Sequence, residues 1–575
     1  MAAGDESNAE FDVIVVGSGA AGMTAALAAA HQGLRTVIVE KAATFGGSTA
    51  RSGGGVWIPD NEALRAAGIT DSMDDARTYL HTIIGEHGDP ARIDTYLDRG
   101  PEVISFLQRN TPLRLQWVPG YSDYYPEAPG GRSHGRSVEP VPFDGTKLGD
   151  DLATLAADYG KSPRNLVVTQ ADFRLLNLIA RHPRGPLRAL RLARRWLKAT
   201  TLRQRLLGRG QALAASLRVG LTQAGVPVWL DTPLVALTSE DDVVTGIIVR
   251  QGDTERNLIA RRGVVITSGG FEHNQEMRTK HQRAPIGTEW TTGAPSNTGD
   301  GIRAGQELGA AVEFMSDAWW GPSIPLPGGP WFCLAERSLP GSIMVNGRGE
   351  RFVNESAPYV DATHAMYGGE FGQGDGPAEN MPTWLIFDQR YRNRYLFAGV
   401  GPRQPLPGRW FKNGAIRRAP TLAALADAID VPAEALTSTV ERFNGFAAEG
   451  RDPDFDRGAS AYDHYYGDPR NRPNPSLGQM ISAPFYAAKL VPGDLGTKGG
   501  LKTDARARVL RDDGSVIAGL YAAGNASTPV MGHTYAGPGA TIGPAMVFGY
   551  LAAHDLAATT GTTAPALADH DGGLS

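Results

Sequence analysis

Residues 13–41 read VIVVGSGAAGMTAALAAAHQGLRTVIVEK, and their order decides the fold. An apolar run at 13–16 is followed by Gly17, Gly19 and Gly22 and by a small-residue stretch that predicts a helix from near Ala20. Strand, tight turn and helix come in that order. Gly17 permits the turn, Gly19 lets backbone amides approach a pyrophosphate at the helix N-terminus, and Gly22 allows the helix to pack closely on the strand. The helix is expected to stop at Gly33. A second apolar run, 36–39, then delivers Glu40, whose carboxylate is placed to accept ribose hydroxyl hydrogen bonds. An acid there favours an unphosphorylated ribose. A lone GxGxxG can be an ordinary glycine-rich turn, but a complete βαβ context argues for a dinucleotide site. Far down the chain, residues 519–546 read GLYAAGNASTPVMGHTYAGPGATIGPAM, a short apolar run opening into a second glycine-rich segment. Together the two stretches describe one dinucleotide clamp built from both chain ends, which points to a flavoenzyme.

With 575 residues the chain can bury a large core; at about 150 residues per domain it would hold roughly four units, expected here to merge into two. A net charge of -5 and a pI near 6.2 give no global basic field, so nucleic acid is not an expected partner. The single cysteine, Cys333, excludes an intramolecular disulfide framework and any cysteine-borne iron–sulfur or zinc site. The histidines form no HExxH-like pair, so no metal is expected. Asp5, Glu6 and Glu10 precede the first strand, the opposite of a basic secretory n-region, and a cytoplasmic location is the expectation. The uncharged stretches 13–30 and 535–553 lie in the dinucleotide segments and read as buried core, not as membrane spans.

The loop TFGGSTARSGGGVW (44–57) offers many amides and hydroxyls to phosphates and a flavin ring. Residues 226–250 predict a strand pair about an acidic turn at 240–242, and RGVVITSGGFEHN (262–274) a buried strand ending in a glycine-rich turn. Near residue 320 the composition changes to WWGPSIPLPGGPWF, and near 490 the clamp-like pattern resumes. The expected organisation is an α/β protein: a Rossmann-like domain from residues 1–320 and 490–575, with an α+β catalytic domain inserted at 321–489. Within the insert, 422–448 reads as helix. Residues 184–209 hold nine Lys or Arg and no acid, interleaved with Leu187, Leu190, Trp196 and Leu197. Two readings stand open: a solvated helix packing its apolar side on the enzyme, or a basic amphipathic patch on an anionic membrane surface.

Further clamp elements are GGSTARSGG (46–54), Val235, NTGDG (297–301) and AAGN (522–525). With them the chain resembles the large fumarate reductase and succinate dehydrogenase flavoprotein superfamily, whose cofactor is FAD. More narrowly, it is similar to the 3-ketosteroid Δ1-dehydrogenases, through GYSDYYPE (120–127), DAWWGPS (317–323), RFVNESAPY (351–359), VPGDLGTKGG (491–500) and HTYAGPG (533–539). These motifs run from one end of the chain to the other. The resemblance implies that FAD is held by Gly17, Gly19, Ala21, Gly22, Glu40 and Lys41, by Gly47, Ser48, Thr49, Ser52, Gly53 and Gly54, and by Val235, Asp300, Gly524, Asn525 and Ile542. The covalent-flavin subgroup carries a histidine where this chain reads Gly47-Ser48-Thr49, so noncovalent FAD is expected.

In that family a 3-oxosteroid loses two hydrogens between C1 and C2. Removing a C2 proton builds enolate charge on the C3 oxygen, so the chemistry needs donors at that oxygen, a base at C2 and an oxidised flavin near C1. The resemblance gives the donor roles to Tyr535 and the amide of Gly539, the base role to Tyr359, and a supporting hydrogen bond to Tyr124. Tyr125, beside Tyr124, could exchange roles with it, and Tyr121 puts a hydroxyl where an apolar wall is expected. Trp319, Trp320 and Trp331 read as packing at the domain junction. No second GxGxxG with its own strand and helix is found, and TSGGFEHN (267–274) lacks the spacing. Electrons are therefore expected to pass to an external acceptor such as a quinone. The alternatives are a 3-ketosteroid Δ4-(5α)-dehydrogenase, a fumarate-reductase-like enzyme, which would need cationic clamps for a dicarboxylate, and a flavin-binding protein without chemistry.

Overall fold

A computed structural model describes residues 8–160 and 165–559; Asp5 and Glu6 lie outside them. The first strand, β1 (Asn8–Val16), runs parallel to β2 (Thr36–Val39) on one side and to Thr254–Ile266 on the other. Val516–Ala522, from near the other end of the chain, adds in parallel to the last turn of residues of that same middle strand, pairing Val264–Ile266 with Leu520–Ala522. The two halves of the clamp therefore meet across one intervening strand, with the loops at the carboxyl ends of all of them opening on the same edge. The strand pair expected about an acidic turn is present as Leu234–Glu240 and Val243–Gln251, and it extends the sheet on the Thr254–Ile266 side.

Helix α1 (Ala20–His31) is apolar all round because it is buried all round, between the helices Arg209–Gln223 and Ile542–Ala558. Two glycines make that possible. A Cβ on Gly22 would lie 2.0 Å from the Gly17 carbonyl oxygen, and one on Gly549 would lie 2.4 Å from that of Ala21. The helix bearing the C-terminal half of the clamp thus packs backbone to backbone on the helix bearing the N-terminal half.

A second, antiparallel sheet has the order Trp331–Phe332, Ala318–Ile324, Phe485–Thr497, Thr383–Asp388 and Ser342–Val345, with Ile416–Ala419 also pairing with Phe485–Thr497. One face of this sheet is covered by helices Leu422–Ala428 and Ala433–Glu449, through Ile343, Ile386, Leu436, Val440 and Phe443. The single helix expected over 422–448 is therefore two. Asp430 takes a left-handed φ of 57° and Pro432 lacks the N–H that would continue the first helix, so the chain turns between them. The mixed α/β architecture expected from sequence, with a parallel sheet assembled from both ends and an antiparallel α+β unit, is the one observed. Among the described residues no helix is long and apolar enough to cross a membrane.

Candidate active site

One elongated cavity of about 410 Å³ runs from the GxGxxG turn to a cluster of tyrosines between the two sheets. At its near end Gly17 has φ 107° and sits so close to Thr267 that a Cβ would lie 2.5 Å from its carbonyl oxygen. A Cβ on Gly19, by contrast, would meet only Thr49 Oγ1, at 3.6 Å; the space over this glycine is open to the cavity. Helix α1 has no side-chain cap, so apart from the Ala20 N–H, which donates to Thr49 Oγ1 at 2.9 Å, its first amides are left for a ligand. Glu40 accepts from the Ser18 N–H and hydroxyl at 2.9 and 2.6 Å and from the Ala42 N–H at 2.9 Å. These bonds orient the carboxylate and leave it capacity for a hydroxyl donor. Lys41 reaches Asp300 at 2.7 Å and Thr298 at 2.6 Å, closing the same end.

Ser48 Oγ accepts from the Ala294 N–H and from Asn297 Nδ2 at 2.9 and 3.0 Å, which ties the 46–54 loop to the 292–300 segment. Gly17, Gly19, Ala21, Glu40, Lys41, Gly47, Ser48, Thr49, Ser52, Gly53, Gly54, Asp300, Gly524, Asn525 and Ile542 all line the cavity. Gly22 stands one layer behind, against Gly17. Val235 is 37% exposed and turns its side chain away from the cavity, while its neighbour Leu234 lines it, as strand alternation requires, so any contact of Val235 with the cofactor would come from its backbone. Uncapped helix amides, an oriented carboxylate and a long trough with glycine walls fit a dinucleotide.

At the far end the rings of Tyr124, Tyr359 and Tyr535 form a near-equilateral triangle, with centroids 5.5, 5.3 and 5.4 Å apart. Each comes from a different part of the chain and each is held from behind. The Tyr124 N–H donates to the Ala536 carbonyl at 3.0 Å, and the Tyr79 hydroxyl donates to the same oxygen at 2.7 Å, so the loops bearing Tyr124 and Tyr535 are stitched together. Asp123, next to Tyr124, is buried against Arg136 and the Trp57 indole N–H; burial pushes its pKa up to about 6.

Tyr359 opens helix Tyr359–Tyr367, directly after a loop fixed by a buried ionic network. Arg351 pairs with Glu355 at 2.8 Å and Asp452 at 2.7 Å, Arg457 with Glu355 at 3.0 Å, and Arg337 donates to the Ala357 carbonyl at 2.7 Å. Burial alone would raise the Glu355 carboxyl, but the two arginines outweigh it and hold it below the usual range. On the third side, Asp317 accepts from Lys498 at 3.1 Å, His364 at 3.1 Å and His533 at 2.9 Å, anchoring the start of the segment that carries Tyr535.

The chemistry of the triangle follows from burial. All three phenols are nearly inaccessible, and desolvation pushes each pKa up, well above the ordinary value for Tyr124 and Tyr359. Tyr535 is opposed by hydrogen bonds from Thr541, whose hydroxyl lies 3.0 Å away, and by the neighbouring Gly539 backbone. Gly539 has φ 102°, and a Cβ there would lie 2.4 Å from the Gly55 carbonyl carbon, so only glycine brings this amide beside the Tyr535 hydroxyl. Tyr125 turns away and donates to Asp361 at 2.9 Å. Tyr121 stacks on Tyr465 at 4.2 Å and its hydroxyl meets that of Tyr466 at 2.5 Å, which satisfies the polar group where an apolar wall was expected. Trp319 lines the cavity with its ring 5.1 Å from Tyr535, while its indole N–H donates to Asn525 at 3.0 Å.

Phe173, Phe332, Leu334 and Tyr466 complete the wall around the triangle. No motif pointed to these residues; only the aromatic density of AYDHYY (461–466) hinted at the last. Among the described residues no group of side chains could hold a metal ion.

Comparison with known proteins gives a consistent picture. The FAD binding domain family matches residues 12–542. The chain is 63% identical to a 3-oxosteroid 1-dehydrogenase of Mycolicibacterium smegmatis, over 96% of this chain and 98% of that one. It is 62% identical to a 3-oxosteroid 1-dehydrogenase of Mycobacterium tuberculosis, over 96% and 99%. Its fold superimposes, with a TM-score of 0.89 at 41% identity, on the crystal structure of 3-ketosteroid Δ1-dehydrogenase from Sterolibacterium denitrificans in complex with 1,4-androstadiene-3,17-dione, covering 96% of this chain and 99% of that one.

Proposed function

Since the chain belongs to the FAD binding domain family and, within it, to the 3-oxosteroid 1-dehydrogenases, we propose how its own residues carry out that reaction. The activity is FAD-dependent 1,2-desaturation of a 3-ketosteroid, as in steroid degradation. The observation that carries the residue assignment is the triangle of Tyr124, Tyr359 and Tyr535 beside the Gly539 amide, at the end of a trough that fits a dinucleotide. When bound, FAD supplies the hydride acceptor for C1 of the steroid, and its noncovalent retention falls to the glycine turn, Glu40, Lys41 and Asp300.

The Tyr535 hydroxyl and the Gly539 N–H together hold the C3 oxygen and stabilise the charge that develops there; one such donor is worth about 3 kcal/mol in the transition state. Tyr359, as phenolate, takes the proton from C2, and Tyr124 donates a hydrogen bond that favours its charged form. The apolar and aromatic walls keep water from the enolate and accept the steroid rings. Tyr121, Tyr124, Phe332, Leu334, Tyr359 and Tyr466 suit steroid rings better than a dicarboxylate, and the two arginines on the cavity wall are engaged elsewhere, Arg51 with the Thr292 carbonyl and Arg209 with Asp158.

Mixing the enzyme anaerobically with androst-4-ene-3,17-dione tests this reading. The oxidised flavin band is expected to bleach with formation of the 1,4-diene; a flavin that stays oxidised, or desaturation at another position, refutes it. Electrons then leave to an external acceptor, which we assign to the quinone class.

The basic segment 184–209 supports a second element of this reading, a peripheral membrane contact of a cytoplasmic enzyme. Helix Arg184–Thr201 buries only Gly185, Leu192 and Ala199, and turns Leu187, Leu190 and Leu197 outward at 59%, 58% and 56% exposure. Arg188 and Arg195 are drawn inward to Asp172, whereas Arg184, Arg191, Arg194 and Lys198 remain on the surface around the leucines. An apolar stripe framed by cations and free of acids matches an anionic bilayer surface. Asp172 lies on helix Gln170–Asn177, which also supplies Gln170 and Phe173 to the cavity wall, so the contact would sit beside the path of a lipid-dissolved steroid.

A further inference from the structure

Behind the flavin trough lies a second, small cavity of about 20 Å³, whose walls include Arg92, Lys498, Thr528 and Phe548. Trp319, Gly524, Asn525, Thr541 and Ala545 line both cavities, so the same side chains face the cofactor on one side and this space on the other. Arg92, on helix Pro90–Asn110, is 2% exposed. Its guanidinium makes no hydrogen bond or ion pair among the described residues; Nε is buried without a partner, and the charge lies 4.7 Å over the Phe548 ring.

That is an unusual position for a guanidinium. Burial lowers the Arg92 pKa to about 10, opposed only through space by Asp89, Glu313 and Asp504. An arginine does not escape the penalty by losing its proton, so a buried guanidinium needs a counter-charge or solvent. The cavity lining contains no carboxylate. Lys498, the other cation on its wall, has its partner outside the lining, Asp317 at 3.1 Å. Asn525 spends its Oδ1 on the Trp319 indole and keeps its amide N–H groups as donors. The space exceeds the roughly 10–15 Å³ that one water-sized particle needs, and is too small for a phosphate or a carboxylic acid.

We propose that this cavity is a binding site for one halide-sized monovalent anion, with Arg92 as its charged ligand and Asn525 as a neutral donor. The anion neutralises a buried cation that has no ionic partner among the described residues beside the cofactor wall. Thr541 couples the two spaces, because it lines this cavity and donates to the Tyr535 hydroxyl at 3.0 Å. The inference does not depend on the identity of the substrate.

Holoenzyme crystals soaked in sodium bromide and measured at the bromine absorption edge test it. The expected result is an anomalous peak between Arg92 and Asn525 that is absent in Arg92→Met. A site that holds only water overturns the proposal. So does a peak that persists in Arg92→Met, which would be an adventitious ion only. In solution, the holoenzyme is expected to melt higher in chloride than in gluconate at equal ionic strength, with saturation, and Arg92→Met to lose that difference. Should Arg92→Met fail to fold, the bromide peak and the chloride dependence of the wild type decide the matter alone.

Discussion

Tyr359, at the start of helix Tyr359–Tyr367, and Tyr535, in the glycine-rich segment before helix Ile542–Ala558, are distant in the chain, yet their ring centroids lie 5.4 Å apart at an interplanar angle of 58°, at the far end of the flavin trough. Neither loop could hold its tyrosine there unaided. The Glu355–Arg351–Arg457 network fixes one and the Asp317 cluster fixes the other. The cleft between the two units thus brings two buried phenols onto one cavity wall.

Replacing either hydroxyl separates binding from chemistry. Tyr535→Phe is expected to keep its FAD absorbance and lose about 10²–10³-fold in steroid-dependent flavin reduction, the cost of one oxyanion donor. Tyr359→Phe is expected to lose about 10²–10⁴-fold, the contribution of a general base. Stopped-flow reduction under anaerobic conditions measures both, and full activity in either variant removes that residue from the mechanism.

Tyr124 and Tyr125 are neighbours with different surroundings, the first on the cavity wall and the second bonded to Asp361. Tyr124→Phe is expected to reduce the rate of flavin reduction without lowering FAD content. Tyr125→Phe leaves the half-buried Asp361 short of a donor and is expected to cost about 1–3 kcal/mol of stability with kcat little changed. Chemical denaturation alongside steady-state kinetics distinguishes them; the reverse pattern would exchange their roles.

The pH dependence has a definite sign. Burial pushes the Tyr359 phenol well above its ordinary value, and the hydrogen bond from Tyr124 offsets this only in part. Its base form therefore grows as pH rises toward that raised pKa. Over the range from about pH 6 to 9, kcat/KM should climb, and the residual rate of Tyr359→Phe should lack the climb. A flat or falling wild-type profile would rule out a phenolate base.

Gly539 tolerates no side chain. Gly539→Ala forces a Cβ to within 2.4 Å of the Gly55 carbonyl carbon at a φ of 102°. The expected outcome is a loss of about 1–3 kcal/mol in stability together with slower turnover, because the displaced amide no longer reaches the C3 oxygen. Thermal melts and steady-state rates check this; an unperturbed variant would show that the amide is free to move.

The outward leucines predict lipid binding. Leu190→Glu/Leu197→Glu is expected to lower cosedimentation with phosphatidylglycerol vesicles at least tenfold, since each cation near such a surface contributes only about 1 kcal/mol. Turnover of steroid in vesicle-free solution should stay unchanged. Equal partitioning of variant and wild type would leave the helix as a solvated surface element.

What the amino-acid sequence by itself determined here is local or strongly patterned. The strand, turn and helix of residues 13–31 follow from hydrophobic order and from glycines whose backbone roles admit no substitute, and Glu40 follows from its place at the end of β2. The motifs at 351–359 and 533–539 marked Tyr359, Tyr535 and Gly539 as candidates before any geometry was known, and the structure places all three on one cavity. Tertiary structure alone decided the rest. Tyr124 faces the cavity and Tyr125 faces Asp361 because the Ala536 carbonyl, hundreds of residues away, fixes the backbone between them. The side chain of Leu234, not that of Val235, meets the trough because the hairpin pairing sets which side of the strand faces in. The leucines of Arg184–Thr201 point outward because Asp172 pulls the arginines of the opposite face inward, and Arg92 is left unpaired because no carboxylate reaches it. In each case the outcome depends on contacts between residues distant in the chain, and neither periodicity nor spacing records which of two neighbouring side chains such a contact will turn toward the site.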